Sequence, residues 1–137
     1  MVKTVKFRVS GGKTLTGAIE LMGAKNAATK LMVASLLTEE PCVFEHFPRI
    51  GDTAITAELC RGVGSEIKTS ESFLEMCTPV VTSHRVSSLS RRNRIPILLL
   101  GPLLARVGNA EVPIVGGDQI GPRPVDMHLD ALSAMGA

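Results

Sequence analysis

The chain has 137 residues, which is enough for one ordinary domain with its own hydrophobic core. Apolar residues make up 45% of it and aromatic residues only 3%, so we expect an aliphatic core and no aromatic stacking surface for single-stranded nucleic acid. The net charge of +2 gives no reason to expect a nucleic-acid or membrane partner. The three cysteines have neither metal-ligand nor redox-motif spacing, which indicates reduced thiols in a cytoplasmic protein.

The first half of the chain alternates between strand and helix patterns. Apolar and basic residues alternate at the start, as in an edge strand, and apolar residues recur at helical spacing after Gly23. Asp52 or Thr53 is expected to cap a helix by accepting hydrogen bonds from free backbone N–H groups. In chain order the predicted elements are strands at residues 5–9 and 15–21, a helix at 26–37, a strand at 42–47, a helix from 52 to 61, and a strand pair at 66–68 and 73–76.

The second half predicts a similar order again: a helix at residues 94–107, bent near Gly101-Pro102, a strand at 111–115, a loop at 116–124 and a helix at 125–135. A shift of about 70 residues places the first helix and strand on the second pair, which is typical of a repeated supersecondary unit. Closing strands of the second unit are due where the chain ends, so the pattern predicts an incomplete α/β fold. The longest apolar run, residues 95–105, is shorter than the roughly 20 residues that cross a bilayer.

Two cations stand at predicted helix starts. Lys25 opens the first helix, and Arg94 opens the helix in the matching place of the second unit. The helix dipole disfavours a cation at this position unless an anion lies beside it, so both residues hint at an anionic ligand. The three histidines have no metal-ligand spacing, and we expect no metal site.

The loop GGDQIGPRP at residues 116–124 is the most informative stretch for function. Its glycines allow the backbone to approach a ligand closely, and Asp118 lies among them. Pro122 and Pro124 restrain Arg123, whose guanidinium can grip a phosphate or carboxylate with two parallel hydrogen bonds. Composition alone favours a plainer interpretation, a long surface loop with a capping aspartate.

Three motifs taken together change that preference. The chain has GAKNAA at residues 23–28, GPLLAR at residues 101–106 and GGDQIGPRPVDMH at residues 116–128. In order and spacing these resemble motifs of the UDP-N-acetylglucosamine 1-carboxyvinyltransferases, which are enolpyruvyl transferases. The resemblance runs from Lys6 to Ala137, and its last motif is long and specific.

The resemblance implies transfer of the enolpyruvyl group of phosphoenolpyruvate to the 3′-hydroxyl of UDP-N-acetylglucosamine with release of phosphate. This is the first committed step of peptidoglycan synthesis, in the bacterial cytoplasm, and no cofactor is implied. The implied fold has two lobes, each an inside-out α/β barrel of three repeated units. Residues 1–21 would be opening strands of the second lobe and residues 22–137 a partial first lobe of about two units. The carboxy-terminal lobe would be missing, so we expect the chain to be inactive alone.

The family's site residues carry over to this chain by motif. Lys25 would bind phosphoenolpyruvate and help to polarise it, and Asn26 would touch the sugar nucleotide. Arg94 and Arg123 would hold the phosphate and neutralise the charge that develops during addition. The remaining matched positions are Pro124 and Val125, on the uridine side of the nucleotide, and the acidic Asp52, whose role is less defined.

Asp118 departs from the family's usual pattern, since most members have cysteine there. The resemblance assigns this residue as the acid that protonates the enolpyruvate methylene and as the target of the epoxide antibiotic fosfomycin, so an aspartate implies fosfomycin resistance. A free cysteine titrates near ~8.5 and a free aspartate near ~3.9. We therefore expect a more acidic pH optimum than that of an Asp118→Cys variant.

Two alternatives stay open. The sister family, the 3-phosphoshikimate 1-carboxyvinyltransferases, shares the fold and the phosphoenolpyruvate chemistry, but it opens with a Ser-Lys-Ser type motif instead of GAKN at residues 23–26. Selective stabilisation by shikimate 3-phosphate would favour it. The other alternative is a non-catalytic module, either a truncated paralogue or a fragment that binds the nucleotide or nothing.

Overall fold

The structure is a computed structural model that describes residues 6–71, 73–86, 89, 94–113, 116, 121 and 124–137. Helices and strands alternate in the first half, and helices dominate the second. The elements are α1 (Lys25–Ala34) with a following 3₁₀ turn (Ser35–Leu37), β1 (Cys42–Glu45), α2 (Gly51–Gly62), β2 (Glu66–Thr69), β3 (Phe73–Cys77), a 3₁₀ helix (Ile95–Leu99), α3 (Leu100–Val107) and α4 (Asp126–Ala134). The predicted mixed α/β class is confirmed in this coarse form, and the inside-out barrel stays a prediction.

The three strands form an antiparallel sheet in the order β1-β3-β2. β2 and β3 are joined by a tight turn in which the backbone N–H of Ser70 donates to the carbonyl of Phe73 at 2.9 Å. β3 buries Leu74 and Met76, which alternate with more exposed neighbours, as expected for a strand with one face on the core. The strand pair predicted from the polar turn is confirmed.

The core lies between the helices and the buried face of β3. Because no Trp or Tyr is present, it is built from aliphatic and sulfur-containing side chains. Cys60 is fully buried in this core, and burial raises the pKa of its thiol to about 12, with a smaller opposing effect of the Arg61 charge. All three cysteines are free thiols, as predicted. The largest fully buried core side chains include Met32, Leu36, Leu59, Met76, Leu99 and Leu103.

Arg106, on α3, connects three segments of the fold. Its Nη1 lies 2.9, 3.3 and 3.1 Å from the carbonyl oxygens of Leu36, Thr38 and Thr78, to which its two hydrogens can be donated, and its Nη2 donates to the carbonyl of Pro79 at 3.1 Å. The side chain is only 15% exposed. The guanidinium therefore satisfies carbonyls at the end of the α1 segment and after β3 with one charged group.

The two opening strands predicted at residues 5–9 and 15–21 are wrong over the residues that the structure describes. Residues 6–24 form neither strand nor helix, and Phe7, Val9 and Leu15 are 93%, 90% and 93% exposed. Alternation of apolar and polar residues shows which face a strand could bury, but it supplies no partner strand. A strand without a paired neighbour and a covered face has little stability of its own in water.

The strand predicted at residues 111–115 is also wrong in its described part. Glu111 makes a single parallel bridge to Arg85, and residues 112 and 113 have no regular structure, while 114 and 115 lie outside the described residues. Pro113 has no backbone N–H, so it cannot donate to a ladder at that point. Among the described residues the second unit thus shares the helices of the first unit but not its strand.

The helix predicted at residues 94–107 changes type along its length. It begins as a 3₁₀ helix and becomes an α-helix at Leu100, so the predicted bend near Gly101-Pro102 is a change of helix type. Pro102 lies in the first turn of α3, where a missing N–H removes no intrahelical hydrogen bond. The last predicted helix is confirmed as α4, which buries none of its residues.

Candidate functional site

The structure brings together two of the residues singled out from the sequence, Lys25 and Asp52. Lys25 Nζ lies 2.7 Å from Asp52 Oδ2. Lys25 is the first residue of α1 and Asp52 the second residue of α2, so this ion pair joins the amino-terminal ends of two packed helices. The side chains are 59% and 38% exposed, which leaves both accessible from solvent.

Gly23 fixes the start of α1 against the end of β1. Its backbone N–H donates to the carbonyl of His46 at 2.8 Å. A Cβ at this position would lie 2.6 Å from the same carbonyl oxygen, closer than real Cβ atoms approach, so only glycine fits. His46 itself has a left-handed backbone, with φ of 49°, at this crossing point. Steric crowding by the His46 carbonyl therefore explains the glycine of the GAKN motif, and the contact fixes the position of the chain just before Lys25.

Thr53 fixes the start of α2. Its hydroxyl oxygen lies 3.2 Å from the backbone N–H of Ile50, from which it accepts, and 2.9 Å from the carbonyls of Pro48 and Ile50, to either of which it can donate. Thr53 is 3% exposed. The predicted capping function thus belongs to Thr53 and not to Asp52, because Asp52 turns to Lys25 instead. The short loop between β1 and α2 thus contacts a residue near each member of the ion pair. It binds Gly23, close to Lys25, and Thr53, next to Asp52.

The positive charge of Lys25 at the start of α1 is balanced within the chain. A cation at the first position of α1 needs an anion nearby, and the chain itself supplies one, the Asp52 carboxylate. Asp52 is well placed for its own helix too, since carboxylates stabilise the first turn. The position of Lys25 is thus explained within the chain, and it no longer demands a ligand by itself.

Asn26 and Arg94 are not part of the Lys25–Asp52 ion pair. The Asn26 side chain is exposed in the first turn of α1, and the backbone carbonyl of Asn26 accepts from Lys30 Nζ at 3.2 Å. Arg94 is exposed and immediately precedes the 3₁₀ helix, which packs against α1. Among the described residues, Arg94 makes no hydrogen bond or ion pair with Lys25 or Asp52.

Asp118 and Arg123 lie outside the described residues, so the predictions made for them stay predictions. Pro124 and Val125 directly precede α4, and the Val125 carbonyl accepts from the backbone N–H of His128 at 3.0 Å. The structure does not connect these two residues with Lys25. The described members of the predicted loop, at 116, 121 and 124, have no helix or strand.

A surface groove of about 490 Å³ runs between α2 and the β2–β3 hairpin. Gly51 and Thr53 line it on either side of Asp52, but neither Asp52 nor Lys25 does. Sequence reasoning missed the groove, because it depends on how α2 packs on the hairpin. Within the described part of the chain, the ion pair therefore lies on the surface and does not line this groove.

The described residues contain neither a cluster of metal-ligating side chains nor a membrane-spanning helix. No three His, Cys, Asp or Glu side chains there come together in a way that could hold a metal ion. None of the helices in those ranges is long and apolar enough to cross a membrane.

A family model described as EPSP synthase (3-phosphoshikimate 1-carboxyvinyltransferase) matches residues 9–137. The chain belongs to this family. The match covers nearly all of the described residues, including the ion pair and the helices that carry it.

Relatives within this family carry the more specific name that the sequence motifs resemble. The chain is 47% identical over 133 residues to a UDP-N-acetylglucosamine 1-carboxyvinyltransferase of Chlamydia abortus, covering 94% of this chain and 30% of the relative. Proteins with the same name from Protochlamydia amoebophila and Acidiphilium cryptum are each 43% identical, over 96% of this chain and 29% and 32% of their own lengths. The resemblance drawn from the motifs is confirmed, and the chain spans about 30% of the length of the curated relatives it matches.

Proposed function

We propose that this chain is part of an enzyme that transfers the enolpyruvyl group of phosphoenolpyruvate to the 3′-hydroxyl of UDP-N-acetylglucosamine and releases phosphate. The observation that carries the proposal is the 47% identity over 133 residues to a protein named for this reaction. The motif that opens α1 supports it from the structure, since Gly23 has a steric role and Lys25 an exposed ammonium. The reaction would be the first committed step of peptidoglycan synthesis and would take place in the cytoplasm.

The proposed roles follow the motifs. The Lys25 ammonium binds the phosphate or carboxylate of phosphoenolpyruvate, and Asn26 in the next position contacts the sugar nucleotide. Arg94 and Arg123 hold the phosphate, where fixed cations stabilise the charge that develops as the acceptor oxygen adds. Asp118 donates the proton to the enolpyruvate methylene. Pro124 and Val125 lie on the uridine side.

We propose further that residues 22–137 form part of one barrel-like lobe and that residues 1–21 belong to the other. The exposure of alternating apolar residues such as Phe7, Val9 and Leu15 supports this, because an unpaired segment with one apolar face suits a sheet supplied elsewhere. The second lobe, contributed by sequence outside this chain, would close over the Lys25 surface and exclude water. The chain alone is then expected to be inactive.

A chimera tests the proposal. The region of the Chlamydia abortus relative that matches this chain is replaced by residues 6–137, and phosphate release is measured with phosphoenolpyruvate and UDP-N-acetylglucosamine. We expect release that requires both substrates and that falls by at least about 100-fold in the Arg123→Ala variant, as for the loss of one electrostatic stabiliser. The matched control is Arg85→Ala, because Arg85 lies in a surface ion pair with Glu111. This variant should leave the rate of phosphate release unchanged.

A folded but inactive chimera would contradict the proposal and favour the non-catalytic module. A second candidate function, transfer to 3-phosphoshikimate, is favoured by the name of the matching family, EPSP synthase. The same assay with shikimate 3-phosphate as acceptor separates the two. Faster release with shikimate 3-phosphate than with the sugar nucleotide would assign the sister reaction instead.

A further inference from the structure

We infer that Asp52 is an internal counter-ion of Lys25 that competes with phosphate-bearing ligands for the Lys25 ammonium. When such a ligand binds it displaces Asp52, and when phosphate leaves Asp52 takes its place again. The inference rests on the proposed function, in which Lys25 binds phosphoenolpyruvate. It replaces the less defined substrate-binding role that the family motif gives to Asp52 with a role in setting phosphate affinity.

The ammonium charge at the start of α1 is offset by a residue of α2. The first turn of α1 contains no acidic residue, and the residue before it, Ala24, has no side chain that could cap the helix. Lys25 adds a full positive charge at this end. Among the described residues Asp52 makes the one ion pair with Lys25, at 2.7 Å, so the carboxylate offsets the ammonium charge while the partial positive charge of the helix end remains.

The Lys25–Asp52 ion pair can open so that another anion replaces Asp52, because both side chains reach solvent. Its side chains are 59% and 38% exposed, and an ion pair in contact with water is weak because solvent and salt screen it. In a buried ion pair, a ligand would have to replace the carboxylate without help from water. In this pair the carboxylate can move away into solvent. A phosphate group carries more charge than a carboxylate and has more acceptor oxygens, so it can take over the ammonium.

The starts of α1 and α2 lie together at the ion pair. α1 has 10 residues and α2 has 12, and both present free backbone N–H groups near the ion pair. The Gly23 and Thr53 contacts hold these ends in place whether or not the side chains are paired. A ligand that displaces Asp52 therefore meets a fixed positive surface, and the carboxylate that it displaces remains tethered beside it. A tethered competitor lowers the affinity for the ligand, which favours release of the phosphate product.

The test measures inorganic phosphate binding to the 137-residue chain by NMR chemical shifts of the backbone amides at the starts of α1 and α2, at constant ionic strength. Asp52→Asn removes the charge and keeps the shape, and Asp52→Glu keeps the charge. The matched control is Glu75→Gln, because Glu75 Oε1 lies 2.9 Å from Lys68 Nζ in another surface ion pair. Far-UV circular dichroism establishes that each variant folds.

We expect Asp52→Asn to bind phosphate about fivefold more tightly, as the loss of one unit charge about 4 Å from the ligand in water predicts. Asp52→Glu should stay within about twofold of the parent and Glu75→Gln should not differ, since the first keeps the competing charge and the second changes a distant one. A purely structural role for Asp52 would give weaker binding, in the opposite direction.

Three results would overturn the inference. They are equal or weaker binding by Asp52→Asn, a gain that persists when Lys25→Ala is added to Asp52→Asn, and no saturable shifts with either the parent or Asp52→Asn. The titration uses no acceptor and no second lobe. An inactive chimera would therefore refute the proposed function while the phosphate titration still decided the role of Asp52.

Discussion

Arg106 gives the most direct test of how the fold is held together. Its guanidinium reaches carbonyls in segments that are far apart in the chain, at the end of the α1 segment and after β3. We predict that Arg106→Met, which keeps the length of the apolar stem and removes every donor, destabilises the folded chain strongly. The stability of the Arg106→Lys variant should lie between those of the parent and of Arg106→Met. An ammonium keeps the charge but lacks the planar guanidinium that bonds to both segments at once.

The magnitude follows from the geometry. Nη1 carries two hydrogens but has three acceptors within reach, so its three contacts cannot all be full hydrogen bonds. Counting one good bond to each side, to Leu36 at 2.9 Å and to Pro79 at 3.1 Å, gives two charge-assisted bonds. Each contributes about 1.5–3 kcal/mol, so the loss is at least about 3 kcal/mol. For a chain of this size that corresponds to a fall in Tm of about 10 °C.

Urea and thermal unfolding followed by circular dichroism at the helix band is the appropriate assay, since the chain has no Trp or Tyr for fluorescence. The control is Arg85→Met, because the Arg85–Glu111 pair is 60% and 56% exposed and should contribute below about 1 kcal/mol. The m-value must stay constant for the comparison to hold. An Arg106→Met chain as stable as the Arg85→Met chain would refute the reasoning.

Three further predictions concern glycine, cysteine and the site loop. Gly64→Ala should cost over about 2 kcal/mol in urea unfolding, because φ is +114° and a Cβ would lie 2.6 Å from a carbonyl, whereas Gly62→Ala, with open space, should be neutral or stabilising. A thiol reagent at mildly alkaline pH should label the other two cysteines but not Cys60, whose pKa burial raises to about 12; three reactive thiols in the folded chain would contradict this. In the active chimera, Asp118→Cys should confer fosfomycin sensitivity and move the pH optimum upward, because a general acid loses its proton above its pKa, and coincident pH profiles would count against the role of Asp118.

Local patterns predicted the elements whose stabilising contacts are close in sequence or lie on one clear face. The helices α1 and α2 and the β2–β3 hairpin follow from apolar spacing and a polar turn, and the structure has them within a few residues of the prediction. The opening strands failed because strand formation needs a partner, and Phe7 and Val9 find none among the described residues. The strand predicted at residues 111–115 is absent over the described residues 111–113, where Pro113 has no backbone N–H to donate to a ladder.

The sequence singles out residues of the candidate site but does not predict the contacts between them. Lys25 and Asp52 were both singled out from the sequence, yet their pairing depends on how α1 packs beside α2, which no local pattern contains. Gly23 belonged to a recognised motif, but its steric reason involves the His46 carbonyl on another element. Thr53 was one of two possible caps, and only the structure distinguishes it from Asp52.

The same pairing changes what a lysine at a helix start can prove. The sequence argument held that such a cation implies a bound anion, and the anion turned out to be a side chain of α2. A net accounting still leaves the surface positive, because the Lys25 and Asp52 charges cancel while two helix ends remain, each with unsatisfied N–H groups. Such a surface can accept a phosphate dianion in place of the carboxylate, as the inferred displacement of Asp52 requires. In the proposed reaction, which binds a phosphate ester and releases free phosphate, such a surface would allow the product to leave.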